Sequence, residues 1–200
     1  AVAYSGRALA LSGLGEHKQA IENYDHVLRL DPNNAVVFRS RGLEYSSLGH
    51  YQRAIEDYDQ ALRLDPNYAF AYNIRALAYS GLGQQRRAIE DFDEALRLDP
   101  NTVHAYDNRG YAYSGLGQQQ RAIEDFDQAL RLDADDVFAY NGRGNAYSRL
   151  GQQQRAIEDL NQALRLDPNN AVAYVNRGLA MDRLGLAIAA ARSASKTAVV

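Results

Sequence analysis

The stretch Ala69–Pro100, AFAYNIRALAYSGLGQQRRAIEDFDEALRLDP, holds two helical patterns on either side of a glycine turn. In its first half Tyr72, Ala76 and Tyr79 follow at intervals of four and three, which places them on one stripe of an α-helix. In its second half Ala88, Ile89, Phe92, Ala95 and Leu96 trace a second stripe. Leu98-Asp99-Pro100 ends that helix, because proline drives the residue before it out of helical geometry. The stretch therefore reads as helix, turn, helix, turn.

The same pattern recurs from the first residue to about residue 185. Pro32, Pro66, Pro100 and Pro168 are separated by 34, 34 and 68 residues, and Gly15, Gly49, Gly83, Gly117, Gly151 and Gly185 keep the interval of 34 without a miss. A fixed period of this size marks an array of stacked repeats. One array is expected over 1–200, with units 1–34, 35–68, 69–102, 103–136 and 137–170 and a degenerate terminal unit 171–200. At unit position 34, Asn34, Thr102, Asp136 and Asn170 are suited to N-cap the following first helix.

Composition narrows the function. A net charge of −3 lacks the basic excess that a nucleic-acid partner requires. The absence of cysteine excludes disulfides, thiolate catalysis and sulfur-ligated zinc. No apolar run is long enough to span a membrane, so no membrane insertion is expected. A cysteine-free chain suits cytosol and periplasm alike, and the cytoplasm is favoured.

The recurring aromatic at position 4, Gly or Ala at 8, Tyr at 11, Ala at 20, aromatic at 24 and Pro at 32 resemble the tetratricopeptide repeat (TPR) pattern. The resemblance covers residues 1 to about 185. It implies an all-α, right-handed superhelical solenoid of stacked helix-turn-helix hairpins with a concave groove. Three departures stand out: Ala134 replaces a proline, Leu160 replaces an aromatic, and position 7 is Arg in every unit where the family usually has Leu.

Turning 100° per residue separates the faces of the first helix. Alanines at positions 3 and 10, such as Ala71, Ala78, Ala139 and Ala146, let neighbouring helices approach closely. Positions 2, 5, 9 and 12 lie opposite the 4-8-11 stripe, and the TPR resemblance implies that they line the concave groove. The position-7 residues Arg7, Arg41, Arg75, Arg109, Arg143 and Arg177 fall between the core and alanine stripes, so each needs a carboxylate. Asp at positions 23 and 25 of the second helix supplies candidates, and a structural ladder of Arg–Asp pairs is expected. Asp25-Arg29 and its equivalents at i, i+4 are the competing pairs.

Most Tyr and Phe residues occupy positions 4, 11 and 24 and are assigned to the core. Phe70, Tyr111 and Phe138 instead fall at groove positions 2 and 9, where aromatic anchors serve peptide or protein recognition. Packing of Phe70 and Phe138 on the preceding turn is the competing explanation. Their neighbours Asn73, His104, Asp107, Asn108, Asn141 and Asn145 complete the candidate groove site. An Asn amide donates and accepts together, and so suits the backbone of an extended ligand. The family's carboxylate clamp is not matched, because no Lys occupies positions 5 or 9.

Catalytic and metal chemistry find no support. His17, His26, His50 and His104 form no ligand spacing, and the acidic and serine positions recur from unit to unit where a catalytic set is unique. No enzyme, metal or cofactor is expected. After Gly185 the text turns Ala-rich, and Leu186, Ile188, Val199 and Val200 are candidates for a loose last helix, a frayed end or a contact with another copy. The leading expectation is a non-catalytic scaffold that binds a peptide segment or helix of another protein. The alternatives are a self-assembling TPR protein that associates through its ends, and the regulatory or targeting part of a larger enzyme.

Overall fold

A computed structural model describes the backbone of residues 1–197 and the side chains of residues 1–188. Val199 and Val200 lie outside the described residues. Among the described residues the chain is helical without a strand. The helices are α1 (Val2–Gly13), α2 (His17–Leu30), α3 (Ala35–Ser47), α4 (Tyr51–Leu64), α5 (Ala69–Gly81), α6 (Gln85–Leu98), α7 (Val103–Gly115), α8 (Gln119–Leu132), α9 (Val137–Arg149), α10 (Gln153–Leu166) and α11 (Ala171–Thr197). The chain divides into two compact units, Ala1–Ala105 and Tyr106–Val200.

Within each unit the same physics builds every hairpin. The second helix buries its apolar stripe, as with Ala54, Ile55, Tyr58, Ala61 and Leu62 in α4 and Ala156, Ile157, Leu160, Ala163 and Leu164 in α10. Each large side chain so buried contributes about 1.5–3 kcal/mol. Leu160 is fully buried at the position other units give to an aromatic. The position-3 and position-10 alanines Ala71, Ala78, Ala139, Ala146, Ala173 and Ala180 are likewise buried. Close approach reaches its limit at Gly142 of α9, where a Cβ would lie 2.3 Å from the ring of Phe126.

The turns follow from local chemistry. Gly83 takes a left-handed φ of 73°, which lets its N–H and that of Gln84 return to the carbonyls of Ser80 and Tyr79. At the other end of the hairpin, Asp99 Oδ1 accepts from Asn101 N at 3.2 Å. Asp133 accepts from Asp135 N at 3.0 Å, so this side-chain turn survives where Ala134 replaces proline. Asn34, Asp136 and Asn170 accept the N–H groups of Val37, of Phe138 and Ala139, and of Ala173, capping α3, α9 and α11. Thr102 behaves differently, its hydroxyl donating to Asp99 at 2.9 Å.

The terminal unit departs from the hairpin pattern. α11 runs through Gly185 as one helix, whereas the equivalent glycines Gly15 to Gly151 all turn the chain. In those turns the glycine is followed by Glu16, His50, Gln84, Gln118 or Gln152, and in the last unit by Leu186 and an alanine-rich run. Alanine is the strongest helix former, and one helical glycine costs only about 1 kcal/mol, so the helix propagates.

Candidate functional site

The position-7 arginines are placed by two helices at once. Arg41 meets Asp57 of its own hairpin through Nε–Oδ2 at 2.9 Å and Nη2–Oδ1 at 2.6 Å, and Asp25 of the preceding hairpin at 2.6 Å. Arg75 repeats this with Asp91 and Asp59, and Arg143 with Asp159 and Asp127. Arg109 makes the two-pronged contact with Asp125 at 2.8 and 2.6 Å. The aspartates thus pair across hairpins, and not with the arginine one turn along their own helix. The hydrogen bonds that Arg41 donates to Asp57 outweigh burial and hold the guanidinium above its ordinary pKa. Each of these arginines also lies over the position-4 ring, as Arg143 does over Tyr140 at 5.5 Å.

The ends of the series differ. Arg7 is exposed, and at its position-23 counterpart stands Asn23, whose amide donates to Gln19 O. Arg177 bonds the amide oxygen of Asn161 at 2.8 Å in place of a carboxylate. Both ends carry asparagine where the internal units carry aspartate, so the two-carboxylate cradle is not built for either arginine.

The candidate groove residues separate by burial. In Ala1–Ala105, Phe70 is 47% exposed and His104 is exposed, whereas Asn73 is buried with its Oδ1 unpartnered. In Tyr106–Val200, Tyr111 and Phe138 are 43% and 66% exposed, Asn108 and Asn145 are half-buried, and Asp107 and Asn141 are buried. At position 5 the expected open face is thus closed at Asn73, Asp107 and Asn141, while Val175 is exposed. This position turns toward the capping residue that precedes the next first helix, as Asp107 does toward Asp136. Arg39, also at position 5, reaches Tyr68 Oη at 2.7 Å in the same way.

The exposed aromatics have different surroundings. Phe70 stands beside the ring of Tyr68 at 6.5 Å and under the guanidinium of Arg39 at 5.8 Å. Tyr111 donates its hydroxyl to the Phe138 carbonyl at 2.9 Å, which fixes the start of α9 and leaves the Phe138 ring outside. Sequence reasoning gave Tyr68 no role. Its spacing of 29 residues from Arg39, equal to that between Asp107 and Asp136, was the available signal.

Asp107 is the most perturbed carboxyl. Burial, then the hydrogen bond and charge of Asp136, with Asp133 and Asp125 behind, push it up to about 8. At neutral pH the proton therefore resides on Asp107, while Asp136 caps α9. Among the described residues no group of three His, Asp or Glu side chains is placed to hold a metal ion. No helix among them is long and apolar enough to cross a membrane.

The tetratricopeptide repeat model matches residues 1–34, 35–68 and 69–102, and a model described as a TPR repeat matches 114–151 and 144–185. The chain belongs to the tetratricopeptide repeat family. TPR repeats are protein-interaction modules and generally non-catalytic. No curated protein matches this TPR chain. Among solved structures it is similar to MamA at 27% identity and a TM-score of 0.76, over 85% of this chain and 93% of that one. It is similar to YrrB, described as a TPR protein with an unusual peptide-binding site, at 23% identity and a TM-score of 0.74, over 88% and 90% of the two chains. A TPR protein from Parabacteroides merdae ATCC 43184 matches at 22% identity and a TM-score of 0.81, over 98% of this chain and 78% of that one. These last two likenesses establish the fold alone.

Proposed function

We propose that this TPR chain is a non-catalytic scaffold whose first-helix faces receive a peptide segment or helix of a partner protein. Phe138 carries the proposal. Its ring is 66% exposed at the start of α9, where the fold has no need of an aromatic side chain. Half-buried Asn108 and Asn145 supply amide donors and acceptors in the same unit, and Tyr111 adds a second exposed ring. In the unit Ala1–Ala105, Phe70 and His104 are the corresponding exposed groups, and membership of a protein-interaction repeat family supports a peptide or protein ligand. Peptides selected by display on the wild-type chain test this. Phe138→Ala should weaken them at least about tenfold while shifting Tm by less than about 2 °C. Unchanged affinity with a large fall in Tm would make Phe138 a packing residue and overturn the reading.

A second reading rests on α11. Tyr174 and Met181 stand on the stripe that the second helix of the hairpin covers in the other repeats, and both are about half exposed. Two copies joined through α11 would cover this stripe, which makes self-association the structural alternative.

A further inference from the structure

A pocket of about 370 Å³ opens between α9 and α11, lined by Asn145, Ser148, Arg149, Asn176, Leu179 and Arg183. Its position in the repeat makes it unusual. Unit position 13 is Gly13, Ser47, Gly81 and Gly115 in the first four units, and Arg149 and Arg183 in the last two. The fold is built four times over without a side chain larger than serine there. Neither arginine is needed to fill space between the helices, since both are exposed.

Their surroundings hold them in place without neutralising them. Arg149 Nε donates to Asn145 Oδ1 at 3.0 Å, which leaves its two terminal nitrogens for another acceptor. Arg183 Nη1 donates to Ser148 Oγ at 3.1 Å. Ser148 is itself fixed, since its hydroxyl donates to Gln153 Oε1 and its carbonyl accepts from Gln153 Nε2, both at 3.0 Å, with both residues buried. No carboxylate lines the pocket, and among the described residues neither guanidinium is paired with one. Both arginines are exposed, so the cavity presents their two positive charges to solvent and an entering anion is attracted by both.

We propose that the α9–α11 pocket is a binding site for a phosphoryl dianion, gripped by Arg149 and Arg183 and oriented by the Asn176 amide. A phosphate group carries a charge near −2 and three acceptor oxygens, which matches two guanidinium forks and one amide donor. A carboxylate carries one charge and two oxygens, and would leave one guanidinium uncompensated. The volume lies at the low end of small-ligand pockets, sufficient for a phosphorylated side chain or a small phosphate ester. The site stands apart from the aromatic anchor Phe138 and does not depend on it.

Isothermal titration of the full chain tests the assignment with inorganic phosphate, with a short phosphoserine peptide, and with acetate as the carboxylate control. Phosphate is expected to bind more tightly than acetate, weakening with added salt, and Arg149→Gln or Arg183→Gln should each lower its affinity at least about tenfold. Arg165→Gln, an exposed arginine of α10 outside the pocket, should leave it unchanged. Phosphopeptide binding well above that of inorganic phosphate supports the proposal with the group carried by a partner, and equal binding supports it with a free phosphate. Absence of heat from both phosphate ligands, acetate binding as tight as phosphate, or affinity indifferent to both substitutions overturns it. Because Phe138→Ala leaves this pocket intact, its effect on displayed peptides separates failure of the groove reading from failure of this one.

Discussion

Arg143 shows what a charged residue requires inside a repeat. Its guanidinium is one-fifth exposed, held by Asp159 at 2.8 and 2.7 Å and by the more exposed Asp127 at 2.6 Å. Removing the cation leaves Asp159 buried without its counter-charge, so Arg143→Leu should lower stability by about 3 kcal/mol in urea unfolding. The double substitution Arg143→Leu with Asp159→Leu should recover most of that loss, since a hydrophobic pair substitutes well for a buried ion pair. A single variant as stable as wild type would show that the ladder contributes nothing. Asp107 gives the opposite electrostatic case. Its folded pKa, about 8, lies above the ordinary carboxyl value, so the folded state binds the proton that the unfolded chain releases. The stability it contributes is complete below about pH 4 and is lost as pH rises through about 8. The unfolding free energy of wild type relative to Asp107→Asn should therefore fall between pH 5 and pH 8, by up to about 1.4 kcal/mol per pH unit. A difference that is flat with pH would refute the shift.

At the scale of elements, the position-15 glycines separate two uses of one residue. Gly151 turns the chain at φ 77°, where any Cβ is strained, whereas Gly185 lies within α11 with no heavy atom within 4 Å of a Cβ placed there. Gly185→Ala should stabilise the protein by about 0.5–1 kcal/mol, and Gly151→Ala should destabilise it by at least as much, both read from thermal unfolding. Equal effects of the two substitutions would mean that α11 bends at Gly185. The element also explains where reading the sequence stopped short. The 34-residue period locates every hairpin, because turn glycines, apolar stripes and capping residues act locally. Nothing in the period shows that the last turn fails, since a stop depends on the balance between one glycine and the helix propensity of the alanines beyond it. Position 5 was misread for a related reason. A helical wheel gives its angle, but Asp107 is buried against Asp136, which follows its hairpin, and a wheel contains no neighbours.

At the scale of the whole molecule, the self-association reading places its contact on α11. Its Tyr174, Met181 and Leu186 are exposed where a following second helix would cover the stripe or its continuation. If self-association is the function, light scattering over a range of concentrations should show a dimer that Met181→Glu abolishes. A monomer at every concentration leaves the scaffold reading in possession of that surface.

The helical repeat, its period, the assignment to the TPR family, the apolar stripe of each second helix and the need of each internal arginine for a carboxylate were all legible in the amino-acid order. These are properties of residues three, four or 34 positions apart, and local propensity with hydrophobic periodicity expresses them directly. It took the packed hairpins to show that one arginine joins aspartates of two hairpins, that Asn73 and Asn141 lie buried while Phe138 stands out, and that Arg149 and Arg183 share a pocket. Those outcomes depend on distances between hairpins, set by how closely the alanine faces pack, and that spacing is not written in any single repeat.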